Sequence, residues 1–174
     1  MLGLLLILRI IHILGGVFWA GASFLLAGFV EPTVRASGDD GRRFMMRFSS
    51  QSGLTPAMLI AASATVVAGL WLWWIVSDGL DPAWLATGRG TGLTIGILAA
   101  AVAYIVGFVM QNLSIRRMTA IGAQVAASGA APSPDQAAEM QGLQARVRLG
   151  GRIVSVLLIV AVVLMATARY LPTF

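Results

Sequence analysis

Long uncharged stretches alternate with short charged ones along this chain. Between Arg9 and Glu31 lie 21 consecutive uncharged residues, between Arg47 and Asp78 lie 30, and Gly90 to Ile115 adds a run of 26. Ile153 to Ala168 supplies only 16, but Arg152 and Arg169 flank it, and arginine stems lie along apolar surface while their heads reach the headgroup layers. Crossing a hydrocarbon core takes about 20 apolar residues of helix. The pattern therefore predicts four membrane spans, at about residues 4–30, 57–77, 92–115 and 153–170. Thr55 and Pro56 read as the N-cap and first position of the second span. Tyr170 belongs to an interfacial aromatic belt, and Pro172 ends the fourth span. Ala20-Gly21-Ala22 has the small-x-small spacing of a leader cleavage site. No basic segment precedes the apolar run, however, and the run continues through Val30, so it reads as a span rather than a cleaved leader.

The connections at 31–56 and 116–152 also carry pattern. From Arg42 to Ser50, helical spacing puts Phe44, Met45 and Phe48 on one face and turns Arg43 and Arg47 away. Two readings stand: a short helix lying on anionic lipid, or a solvated basic loop. Beyond the third span, Met118, Ile121 and Val125 keep helical spacing until Ser128-Gly129-Ala130-Ala131-Pro132 breaks it. Ser133, Pro134 and Gln136 then make a capping-box start for a helix bearing Met140, Leu143 and Val147. The third and fourth helices are thus expected to run on past the membrane by about 20 Å as an antiparallel pair. The Gly150-Gly151 pair predicts a bend at the membrane surface.

Composition agrees with the pattern: 58% apolar and 11% charged residues and a mean hydropathy of +0.86 exclude a water-soluble or disordered chain. With no cysteine, a disulfide scaffold is excluded too. All twelve basic residues are arginine, and the net charge is +5. In a soluble protein that excess would suggest nucleic acid. Here nine arginines fall in the first and third connections and one in the second. The positive-inside rule then makes 31–56 and 116–152 cytoplasmic loops of a cell-membrane protein with both termini outside, and nucleic acid is not an expected partner. Trp71, Trp73, Trp74 and Trp84 gather near the outer interface. Small residues recur every fourth position at Ala61, Thr65, Gly69 and at Ala99, Ala103, Gly107, with Gly16 and Ala20 similar on the first helix, as close helix packing in lipid requires. The expected fold is all-α: a polytopic membrane four-helix bundle, one integral membrane domain over 1–174, with helices three and four extended into a cytoplasmic hairpin.

One constellation has chemical content. Arg9, His12, Gly16, Trp19 and Ser23 are spaced three, four, three and four apart and share one face of the first helix. His12 is the only histidine, and an ionisable group within a span is a functional candidate by default. In the functional reading, the neutral imidazole of His12 binds a metal or haem iron, Gly16 leaves room for a flat macrocycle, Trp19 packs on its edge and Arg9 reaches a propionate. A second ligand would be Met110, Met165 or the His12 of another protomer, or else the iron stays five-coordinate. In the structural reading, His12 hydrogen-bonds across the bundle to Ser63 or Tyr104 while Arg9 snorkels outward. Other chemistry lacks its parts. Gly88-Arg89-Gly90-Thr91-Gly92 has no lysine and no preceding strand, so it is no phosphate loop. None of the seven carboxylates lies in a span, which disfavours an ion or proton pathway, and nucleophilic or two-metal catalysis has no residues to run it.

The stretch from Leu8-Arg9-Ile10-Ile11-His12 through Trp19-Ala20-Gly21 to Glu31-Pro32 resembles the first helix of the copper-resistance protein D (CopD-like) membrane families. More distantly, it is similar to the HemJ-type protoporphyrinogen oxidases. Met165-Ala166-Thr167-Ala168-Arg169-Tyr170 has the same flavour. The resemblance implies a helical bundle of a type associated with haem b or copper, with His12 as ligand and Trp19 beside it, for electron transfer, cofactor handling or sensing. The alternative expectation is a non-catalytic membrane accessory or scaffold protein that recruits a partner through its cytoplasmic hairpin. A homo-oligomer or a membrane-protein partner is compatible with either.

Overall fold

The computed structural model describes residues 2–171, and among these there is no β-strand. Four helices are long and apolar enough to cross a membrane: α1 (Leu2–Ala36), α3 (Leu54–Val76), α5 (Gly88–Ser128) and α6 (Pro134–Tyr170). Two shorter helices, α2 (Gly38–Gln51) and α4 (Pro82–Ala86), lie in the connections. Large apolar side chains such as Ile7, Leu14, Ile60, Leu98, Ile105 and Ile159 stand exposed on the outside of all four long helices. Water would penalise that surface, whereas lipid tails are as apolar as the side chains. The chain is thus an all-helical, multi-pass membrane protein.

The helices pack most closely as α1 with α3 and α5 with α6, each pair antiparallel. In the first pair His12 meets Gly69 and Gly15 meets Thr65 and Ala61; in the second, Gly96 meets Ala161 and Met165, and Met110 meets Gly150. Small residues line both seams because helices in lipid associate by close backbone approach rather than by hydrophobic drive. Trp19, Ala20, Ala62, Ala103, Val154 and Leu158, drawn from all four long helices, form one buried cluster. Trp19 and Tyr104 meet edge to face in it, with ring centroids 6.4 Å apart. Contacts between α3 and α5 are sparse beside those within each pair.

Several boundaries differ from expectation, each for a local reason. The first helix does not end at residue 30 but runs to Ala36, through a π-helical stretch at Leu26–Val30. Pro32 has no N–H to complete the ladder, and the wider turn just before it absorbs that loss. α2 begins at Gly38 rather than at Arg42, with Asp39 and Asp40 placed at the positive end of its dipole. The second span starts at Leu54 after Gly53, whose φ of +67° turns the chain, so Thr55 is not the N-cap and Pro56 sits inside the first turn. α4 was not expected, although Asp81 caps it by accepting from the Ala83 and Trp84 amides, with Pro82 at its first position. α6 runs through Gly150-Gly151 without interruption. Gly150 serves a close approach: a Cβ there would stand 2.8 Å from that of Met110. The expected stop at Pro172 lies outside the described residues; α6 closes with a 3₁₀ turn at Ala168–Tyr170, where the Arg169 guanidinium lies 4.5 Å from the Tyr170 ring centroid.

Candidate functional site

The stripe on α1 does not face one cavity. His12 and Gly16 face α3, Trp19 enters the central cluster, and the Ser23 carbonyl accepts from the Ser155 hydroxyl of α6 at 3.4 Å. Arg9 is exposed and forms no hydrogen bond or ion pair among the described residues. His12 is half-buried, and its Nδ1 lies 2.9 Å from the backbone carbonyl oxygen of Thr65. A carbonyl only accepts, so Nδ1 is the donor, and in a neutral imidazole that leaves the Nε2 lone pair free. The Cε1–Nδ1 edge of the ring lies against Gly69, where a Cβ would come within 2.7 Å of Cε1 and 2.9 Å of Nδ1.

His12 therefore does bond across the helices, but neither to Ser63 nor to Tyr104; those two hydroxyls bond each other at 2.9 Å. Gly69 is the reason: one turn beyond Thr65 it has no side chain to cover the Thr65 carbonyl, whereas the Thr65 hydroxyl is engaged by the Ala61 carbonyl at 2.7 Å. The space above Gly16 is not open to a macrocycle, because the Thr65 methyl would contact a Cβ there at 3.5 Å. Trp19 packs against Tyr104 rather than along an edge beside His12. Met110 and Met165 both lie in the seam between α5 and α6, against Gly150 and Gly96. Among the described residues no group of three or more histidine, cysteine or carboxylate side chains is placed to hold a metal. With one histidine in the chain, the imidazole donor for a metal or haem iron is Nε2 of His12.

A second place was missed by sequence reasoning. A cleft of about 110 Å³ opens where α1, α2, α3 and α5 meet near the α2 end of the spans. Trp19, Met58 and Phe108 supply apolar walls, and Tyr104, Gln111 and Asn112 supply polar groups. Asn112 closes the π-helical stretch of α5 at Gly107–Asn112; it is 7% exposed, and its Oδ1 has no hydrogen-bond partner. α2 covers one side with Met45 and Phe48, while Arg43 and Arg47 are exposed away from it. Phe48 stacks on Phe44, centroids 5.6 Å apart. Polar residues in an apolar run were the only sequence signal for this place.

The third feature is polar. Beyond the apolar stretches, the distal part of α5 (Leu113–Ser128) packs against the beginning of α6. Ile121 is buried there, with Met118, Val125, Met140, Leu143 and Val147 half-buried. Ser133 and Gln136 complete a capping box, the side-chain-to-backbone distances being 3.2 and 3.0 Å. Arg117 grips Glu139 with two hydrogen bonds of 2.6 and 3.0 Å. The Arg117 hydrogen bonds hold the Glu139 carboxyl below its ordinary value, and the Arg117 guanidinium is raised in turn. Arg116, Arg146 and Arg148 are exposed.

Compared with protein-family models, characterised proteins and solved structures, the chain matches none.

Proposed function

We propose that the protein is a non-catalytic accessory or scaffold protein of the cell membrane, a four-helix bundle with both termini outside. In this reading the distal parts of α5 and α6 form a hairpin in the cytoplasm that recruits a protein partner. The observation that carries it is the state of those distal parts. Their apolar side chains are turned on each other around Ile121 and the Arg117–Glu139 pair links them, so the outward surface is left to present Arg116, Arg146 and Arg148. Nine arginines in two connections support the orientation. Replacing Met118–Leu149 by a short Gly/Ser linker tests it: crosslinking in native membranes should lose discrete protein adducts that the intact chain gives. An unchanged adduct set would sink the proposal.

A second reading has one observation in its favour. Donation from Nδ1 to a backbone carbonyl is how a metal-ligating imidazole is oriented, and His12 makes that bond to Thr65. With the resemblance of its helix to the CopD-like families, this supports haem b or copper bound through Nε2, with a second ligand from another copy of the chain or none. Absorption spectra and metal analysis of the purified protein and of His12→Ala decide it. A haem band or bound copper lost in the variant would establish this reading, and neither in the wild type would end it.

A further inference from the structure

We propose that the cleft between α1, α2, α3 and α5 is a binding site for an uncharged, hydroxyl-bearing lipid, whose hydroxyl donates to Asn112 Oδ1. None of the residues lining the cleft is charged, so an ionic head would enter without a counter-charge, at a heavy desolvation cost. That excludes fatty-acid carboxylates and phosphate-bearing heads. Asn112 is more than nine-tenths buried and its carboxamide oxygen faces no donor. A buried acceptor left so is costly, and a donor entering the cleft beside it relieves that cost. A ligand hydroxyl is such a donor, while a bare ketone or ester is not.

The walls fix the rest of the ligand. Trp19, Met58 and Phe108 are apolar, and Phe108 is itself exposed on the outer surface beside the sparse contact of α3 with α5, so an acyl chain has a path to the bilayer. The volume of about 110 Å³ holds several water-sized groups, on a scale where roughly 10–15 Å³ holds one, enough for a glycerol-like head and too little for a macrocycle. Two independent features of the backbone converge here. The π-helical stretches of α1 and α5 both border the cleft, at Leu26 and at Gly107–Asn112, and such wide turns recur at functional sites because they re-aim side chains. α2 turns Met45 and Phe48 to the cleft and leaves Arg43 and Arg47 exposed, the pattern of a helix that lies at headgroup depth, where a lipid hydroxyl resides.

The test uses the full-length protein in nanodiscs of neutral and anionic phospholipid, with a diazirine-bearing monoacylglycerol as probe and its fatty-acid analogue as control. Mass spectrometry should place monoacylglycerol adducts on residues of the cleft, competed by unlabelled monoacylglycerol, with the fatty acid labelling them about tenfold less. Asn112→Leu should cut that labelling about tenfold while raising the thermal midpoint in nanodiscs without monoacylglycerol, because it removes an unpaired acceptor. Thr55→Trp, which fills the cleft from α3 and leaves Asn112 in place, should block labelling without that rise. Equal labelling by the fatty acid, labelling unchanged in both variants, or a midpoint lowered in Asn112→Leu with labelling unchanged would overturn the proposal; the last would mean that water satisfies Asn112.

Discussion

His12 and Gly69 occupy one another's space, and that reciprocity is the clearest energetic statement at the scale of single residues. The imidazole fits because α3 has no Cβ at the facing position, and its Nδ1–H finds the Thr65 carbonyl one turn away. Gly69→Ala puts a methyl 2.7 Å from Cε1 and should destabilise the protein by about 1–3 kcal/mol in thermal unfolding in detergent. His12→Ala removes one interhelical hydrogen bond, about 0.6–2 kcal/mol. Combined, the two should cost clearly less than their sum, since the alanine at 12 vacates the space the methyl needs. Strict additivity would mean that the ring does not lie over Gly69. The sequence exposed His12 as unusual and exposed the small-residue row Ala61, Thr65, Gly69, yet it did not pair them. Which residue of α3 lies opposite residue 12 depends on the register between two helices, and helical periodicity is silent on register. Asn112 was less legible still, because one amide in a long apolar run becomes informative only when its lack of a partner is seen.

At the scale of elements, the ends of helices were readable where capping chemistry is local. Ser133, Pro134 and Gln136 announce the start of α6, and the capping box forms there. Ser133→Ala should cost about 1 kcal/mol locally and speed amide exchange over the first turn of α6 while leaving the spans unaffected. Boundaries set by longer-range compensation were not readable: the uncharged run stops at Glu31, yet the helix continues past Pro32 through a π-helical turn upstream. The Arg117–Glu139 tie has a definite pH dependence. Glu139 is held below its ordinary value, so the tie is fully present above the unfolded value, about 4.3, and is lost as pH falls through the lowered one. Protection of the distal parts of α5 and α6, measured against the intrinsic exchange rate at each pH, should therefore fall on acidification below that range. Glu139→Gln should show modestly faster exchange at neutral pH and no such acid step, the pair being solvent-exposed. An identical acid step in the variant would assign it to another carboxylate.

For the whole molecule, hydropathy made the four apolar helices legible because lipid imposes one requirement on any span: enough apolar length with every backbone group satisfied. The way the helices pair was not legible, since lipid-facing and seam-facing residues are equally apolar and differ only in size. The proposed orientation with both termini outside, and the proposed recruiting role of the distal parts of α5 and α6, make one further demand on the molecule. The surface carrying Arg116, Arg146 and Arg148 must meet protein, and the lipid-facing surface must not. A photo-crosslinking residue placed in turn at Gln124, at Gln141 and at the lipid-facing Ile105 in native membranes measures this directly. The expected result is a discrete protein adduct from Gln124 and Gln141, abolished when Arg116, Arg146 and Arg148 are changed to Glu, with none from Ile105. Adducts that survive the charge reversal, or that come equally from Ile105, would contradict a recruiting role for this surface.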